Sequence, residues 1–220
     1  MSSSTATPPA GSPGPLRANV YVDGFNLFYG CLRGTPYRWL DLHALCTRLV
    51  PKHPIHRIRY FTALVQDRPG DPTKAQRQQT YLRALQAATP MLTVHLGLFL
   101  SSTVMMRVVN PPPAYTLVHK TEEKGSDVNL ATYLLVDAFD ADYEVAVVIS
   151  NDTDLVTPIT LVRRKFGRQV VVLNPHPRTS WPMRNAADEY RSIRKGALRI
   201  SQLPDVLTDH IGTITKPREW

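Results

Sequence analysis

Cysteine is scarce in this chain, long apolar runs are absent, and no two histidines sit at metal-ligand spacing. Each lack closes off a class of function. The two cysteines, Cys31 and Cys46, form neither a zinc pattern nor a redox pair, and they read as reduced, partly buried thiols of a cytoplasmic protein. No run of about eighteen apolar residues occurs, so no membrane-spanning helix is expected. The sequence lacks a G-x-S-x-G nucleophile elbow and any glycine-rich phosphate loop of the Walker or dinucleotide type. A small-molecule phosphohydrolase of the D-x-D-x-T kind is disfavoured too, because that motif does not follow the first strand. Residues 1–16, MSSSTATPPAGSPGPL, have neither a basic start nor an apolar core, and read as a flexible tail rather than a signal peptide.

What is present is charge, unevenly spread. The formal net charge is +8, yet Lys120 to Asp154 holds nine acids against two lysines. Arg163 to Arg199 then holds ten Lys and Arg against Asp188 and Glu189. An acidic segment inside a basic chain suits a cation site set in a surface that attracts polyanions. Solvated, intermixed surface charge is the plainer alternative.

Periodicity supplies the frame. Val20–Val22 reads as a short buried strand and FNLFYGCL as the start of a helix. Leu40–Val50 is helical, Ile55–Val65 a strand, and Thr73–Ala88 a long helix with Thr73 as its N-cap. Leu92–His119 turns to β again, with NPPP at 110–113 as a stiff turn, which predicts a hairpin arm. SDVNLATYLLVDAF follows as a helix capped by Ser126. YEVAVVIS is a central parallel strand, DLVTPITLVRRKFG a helix interrupted near Pro158, and RQVVVLNP another strand. A short helix is expected near Ala186–Tyr190, and the tail after it ends irregularly. Alternating strands and helices with buried Val/Ile runs predict one α/β domain with a mainly parallel, doubly wound sheet. Its site belongs at the carboxyl ends of the strands.

Three acidic features fall there. Asp23 ends the strand VYV, Asp127 opens a helix just after EEKG, and Asp152 and Asp154 follow VAVVIS as S-N-D-T-D. Singly, each is more simply a helix cap. Together they would repel one another unless paired, and a hard divalent cation with oxygen ligands relieves that repulsion. Lys120 and Lys124 are placed to offer positive charge to a phosphate. Asn26 reads either as an orienting group or as another cap. Past the acidic block, RRKFGR contains Arg163, Arg164 and Arg168. Arg178, Trp181, Arg184, Arg191, Arg194 and Lys195 then form a candidate RNA track, with Trp181 and Tyr190 able to stack on bases. A solvated basic face explains the same residues equally well.

The stretches YVDGFNLFY, EEKGSDVNLATYLL and VVISNDTDLVTPITLVRRKFGRQVVVL, in this order, resemble the NYN domain. This PIN-like group of metal-dependent ribonucleases includes the LabA-like proteins. The later AADEYRSI…SQLP extends the resemblance to roughly Asn19–Pro204, so the domain is expected over residues 17–205, with 206–220 a C-terminal tail. The resemblance implies a three-layer α/β/α fold and cleavage of single-stranded RNA with Mg²⁺ or Mn²⁺. It gives Asp23, Asp127 and Asp152 the metal, Asp154 the completion of the acidic pocket, and Asn26, Lys124, Ser150 and Thr153 supporting places. Lys120, Arg163, Arg164, Arg168 and Arg178 are the expected RNA contacts. Tyr133 stands where some relatives carry an acid; Asp137, one turn on, is either its substitute or a solvated residue near the helix end. RNA is the expected partner and a membrane is not. A homodimer paired through the arm and a regulatory protein partner are further expectations. A non-catalytic RNA-binding module on the same fold remains the alternative.

Overall fold

All six residues of the first strand, Ala18–Asp23 (β1), are buried, and alternate side chains feed different cores. Val20 and Val22 enter one and Tyr21 the other, as period-two geometry requires of a strand covered on both faces. The computed structural model describes residues 16–67, 69–110 and 114–220. The expected N-terminal tail, apart from Leu16, and residues 111–113 of the expected arm turn lie outside the described residues.

After β1 come a single helical turn, Gly24–Leu27 (α1), and a π-helical turn, Phe28–Leu32. Leu42–Leu49 (α2), Ile55–Thr62 (β2), Lys74–Ala88 (α3) and Leu92–Leu96 (β3) follow. The arm is an antiparallel pair, Leu98–Arg107 (β4) and Tyr115–Lys124 (β5). The chain returns through Ser126–Phe139 (α4) to Val145–Ile149 (β6), then Val156–Phe166 (α5), Gln169–Asn174 (β7), Trp181–Ala186 (α6), Glu189–Ser192 (β8) and Lys195–Arg199 (α7). A last hairpin pairs Val206–Thr208 (β9) with Thr213–Thr215 (β10).

The main sheet has six strands in the order β3-β2-β1-β6-β7-β8, and all five pairings are parallel. Helices α2 and α3 cover one face through Leu45 and Leu85; α4 and α5 cover the other through Leu130, Leu134, Ile159 and Val162. This is the three-layer α/β/α sandwich with a β arm that the sequence predicts. The chain builds outward from β1 to β3 and resumes on β1's other side with β6, so the order reverses between β1 and β6. A crevice opens outside the carboxyl ends at such a reversal.

Local readings differ in four places. Helix α5 runs unbroken because Pro158 is its third residue, where the missing N–H would have had no intrahelical acceptor. Ser126 is the first residue of α4 rather than its cap; Gly125 caps it at φ +94°, a conformation glycine adopts without strain. The short helix lies at Trp181–Ala186, and Glu189–Ser192 is instead the sixth strand, paired with β7. The C-terminal residues form the β9–β10 hairpin, with Ile214 buried in the α2/α3 core and Arg83 of α3 gripping Asp209. Two three-residue strands are too short for periodicity to show.

Candidate active site

Asp23 ends β1 at the switch point, only 5% exposed, and does two jobs at once. Its Oδ1 accepts from the Asn26 N–H at 2.9 Å, capping α1, and its Oδ2 accepts from the Ser150 hydroxyl at 3.0 Å. The glycine after it is obligatory for close packing, since a Cβ at Gly24 would stand 2.8 Å from the Phe61 carbonyl oxygen and the Tyr60 ring.

Ser150 ties Asp23 to the next strand end. Its Oγ also accepts from the Asp152 N–H at 3.1 Å, and Asp152 Oδ1 accepts from the Asp154 N–H at 3.0 Å, capping the 3₁₀ turn Thr153–Leu155. Asn26 crosses the same gap, its Oδ1 accepting from the Asn151 N–H at 2.9 Å. The β1 and β6 ends are therefore laced together by side chains from both. Of the two readings of Asn26, the geometry supports the orienting one: its side chain holds the Asn151 turn, while the cap of α1 is Asp23.

The third carboxylate, Asp127, sits in the first turn of α4. Asp23, Asp127 and Asp152 line one pocket of about 230 Å³ with Asn26, Phe25, Tyr29, Glu123, Ser126 and His176. Burial, with Asp127 and Asp152 nearby, pushes the Asp23 carboxyl up to about 7, against the hydrogen bonds from Asn26 and Ser150. Burial and the charges of Asp152, Glu123 and Asp154 push Asp127 up to about 6. Among the described residues none of Asp23, Glu123, Asp127, Asp152 or Asp154 makes an ion pair. Hard oxygen donors without a counter-charge fit Mg²⁺ or Mn²⁺ by type. Among the described residues, though, no three His, Cys, Asp or Glu side chains stand close enough to ligate one ion as they are. A bound cation would have to draw these side chains together against their repulsion.

The remaining sequence candidates scatter. Asp154 and Thr153 are exposed on the 3₁₀ turn. Lys120 and Lys124 both hold Glu122, at 2.6 and 3.5 Å. Residues 120, 122 and 124 share one face of β5, and Glu123 projects from the other. Arg163 is bound to the Ala186 carbonyl and Asp188. Arg163, Arg164 and Arg168 sit where α5 ends and β7 begins, at the opposite end of the sheet from Asp23. Arg178 is at the site's end, its carbonyl accepting from Asn151 and Asn174.

Asp137 needs correction on both counts, since it is neither a stand-in ligand nor solvated. It is 4% exposed, accepts two bonds of 2.8 Å from Arg59 and one of 2.7 Å from the Tyr21 hydroxyl. Its place ten residues after Asp127 puts it about 15 Å further along α4. Tyr133 joins the same cluster, with its ring 4.3 Å from His95 and 4.4 Å under the Arg59 guanidinium.

Residues that pattern reading did not assign are Glu123, Tyr29, Phe25 and His176. Glu123 carries no local signal, because its place is set by the register of the arm. It directly faces Phe99 across the arm, Phe99 packs edge-on against Phe25 at 5.7 Å, and Glu123 Oε1 accepts from the Ser126 N–H at 3.0 Å. The arm's inner face thus continues the pocket wall. His176 is positioned by buried Asn174, which bonds its N–H and carbonyl at 2.8 and 2.9 Å.

Comparison with known proteins bears on the family and the fold. The chain is 34% identical, over 242 aligned positions, to 6-hydroxy-3-succinoylpyridine 3-monooxygenase HspA of Pseudomonas putida; the alignment covers 94% of this chain and 76% of that protein. A crystal structure of VPA0982, a Vibrio parahaemolyticus protein of unknown function, superposes with a TM-score of 0.53 at 17% identity, covering 84% of this chain and 98% of that one, and shares the fold. Among the described residues no helix is long and apolar enough to cross a membrane. The model of the NYN domain matches residues 17–194, from just before β1 to just after β8, and the chain belongs to the NYN domain family.

Proposed function

We propose that this protein is a metal-dependent endoribonuclease that hydrolyses phosphodiester bonds of RNA at the Asp23–Asp127–Asp152 pocket. The observation that carries the reading is the set of uncompensated carboxylates at the β1/β6 switch point, in a chain whose net charge is strongly positive. Asp23, Asp127 and Asp152 are the residues that would hold Mg²⁺ or Mn²⁺. Such an ion supplies Lewis-acid polarisation of a phosphoryl oxygen and a water of lowered pKa. The protein's own part is positional. Ser150 orients Asp23, Asn26 fixes the Asn151–Asp152 turn against α1, and Phe25, Tyr29 and His176 offer ring faces to a base. Labelled single-stranded RNA tests it: cutting with Mg²⁺ or Mn²⁺, none with EDTA, and a loss of at least about 10²-fold in Asp152→Asn. Cutting that persists in the variant or without metal overturns the assignment.

A second reading rests on the 34% identity to a protein named as a hydroxypyridine monooxygenase. The same ring-lined pocket would then take a pyridine, with one oxygen atom of O₂ entering the ring and a two-electron donor reducing the other to water. Incubating the protein with 6-hydroxy-3-succinoylpyridine, air and a nicotinamide reductant separates the two. Oxygen uptake with a ring-hydroxylated product supports this reading, and RNA cutting without oxygen uptake supports the first.

A further inference from the structure

Beside the acidic pocket, at the same end of the sheet, lies a larger cleft of about 650 Å³ with the opposite charge. Its walls carry Arg48 from the last turn of α2, Arg184 from α6, and Arg191 and Arg194 from β8 and the cap of α7, with Thr179 and Tyr190 between them. No acid lines it. Arg191 is committed to Glu189 and the Leu49 carbonyl. Arg48, Arg184 and Arg194 make no ion pair among the described residues. Arg184 instead lies 5.3 Å over the ring of Trp181, which is 63% exposed. Unpaired guanidinium groups converging with a hydroxyl on one cleft match the planar, multidentate recognition that phosphate invites.

The two cavities are physically joined. Asn151, between Ser150 and Asp152, accepts at its Oδ1 from the Tyr190 hydroxyl at 2.9 Å. Asn151 Nδ2 donates to the Arg178 carbonyl at 3.3 Å, and the Tyr190 hydroxyl accepts from the Ser180 N–H at 3.1 Å. The loop after β7 thus gives His176 to the acidic pocket and Thr179 to the basic cleft, while Asn174 pins it from beneath. The sheet ends that carry the carboxylates also set the cleft's wall.

We propose that the arginine cleft is a second phosphate subsite, holding a phosphate of the bound RNA strand other than the one cut at the carboxylates. The inference rests on the ribonuclease reading and sharpens it: the substrate is a strand long enough to reach both cavities, with Trp181 beside the cleft as a stacking surface for a base. The phosphate in the cleft is either a 5′-terminal monoester or an internal diester.

The test is the affinity of the full chain for fluorescent single-stranded ten-mers, measured by anisotropy across a salt series in an Asp152→Asn background. Adding Arg184→Ala and Arg194→Ala is expected to weaken binding about tenfold or more. It should also flatten the log K against log salt slope by about 0.7 for each phosphate that the variant no longer neutralises. Arg184→Lys with Arg194→Lys, which keeps the charge, should recover most of the slope. A 5′-phosphate preference that disappears in the alanine variant identifies the terminal source; equal weakening of 5′-phosphate and 5′-hydroxyl oligomers identifies an internal one. Unchanged affinity and slope in the alanine variant and in Arg48→Glu overturns the proposal. Metal-dependent cutting of bis(4-nitrophenyl) phosphate, a diester with one phosphate, is followed separately in the unsubstituted protein. If that fails, the hydrolase reading fails, while the binding data still decide the cleft.

Discussion

Two acidic places on helix α4 make opposite use of the same residue type. Asp137, near its C-terminal end, is buried with a full complement of donors: two from Arg59 and one from Tyr21. Asp127, in its first turn, faces Asp23 and Asp152 with no cation among the described residues, and its carboxyl is pushed up to about 6. A fold that needs only stability neutralises its buried acids, as it does Asp137. Three acids left uncompensated at a strand-order reversal cost stability, and under the proposed function they are the residues that a bound ion would draw together. The comparison separates what the fold requires from what the site requires.

The sharpest way to break it is to remove the compensated acid. Asp137→Ala leaves the Arg59 guanidinium and the Tyr21 hydroxyl without their partner in a buried place. Breaking such a pair costs about 3–5 kcal/mol, so chemical denaturation should show a large fall in stability. A loss below about 1 kcal/mol would mean that Asp137 is not a structural acid.

The uncompensated acids should behave in the reverse sense. The folded pKa of Asp23 lies near 7, above its ordinary value of 3.8. Its contribution to stability is therefore fully present below about pH 4 and is lost as pH rises through 7. Asp23→Asn keeps a good N-cap and removes the ionisation. With EDTA present it should raise stability at pH 8 by on the order of 1–3 kcal/mol and leave it nearly unchanged at pH 4. A destabilised variant at pH 8 would show that Asp23 is held by the fold rather than strained by it.

The smallest effect belongs to the solvated ion pairs of the arm. Lys120→Ala removes a partner of Glu122 on an exposed face, where such pairs contribute about 0–1 kcal/mol. Thermal unfolding should move by no more than a degree or two. A larger shift would place the arm in the folding unit rather than beside it.

Much of this was legible in the sequence. The continuous apolar runs of β1, β6 and β7 announce strands buried on both faces, and D-G-x-N and S-N-D-T-D mark two of the carboxyl ends where the site lies. What stayed hidden was set by tertiary geometry. Whether Asp137 points to water or to Arg59 depends on the pairing of β1 with β2, seventy-eight residues before it in the case of Arg59. Glu123 is separated from Glu122 only by the parity of β5, which needs the arm's register. Arg48 joins Arg184 and Arg194 across more than 130 residues of chain, beyond the reach of local pattern. Glu189–Ser192 reads as the end of a short helix and an irregular tail, because four residues of an edge strand carry little periodicity.

Manganese binding tests the central claim most directly, because it asks whether the uncompensated carboxylates are a cation site before any substrate is chosen. Titration of the full chain with Mn²⁺, followed by calorimetry or by the loss of free-ion EPR signal, should show saturable binding that strengthens from pH 6 to pH 8 as Asp23 and Asp127 ionise. Binding should fall at least about tenfold in Asp23→Asn and in Asp152→Asn, and should survive Lys120→Ala. Binding that is absent at pH 8, or equal in the wild-type protein and both aspartate variants, would contradict the account.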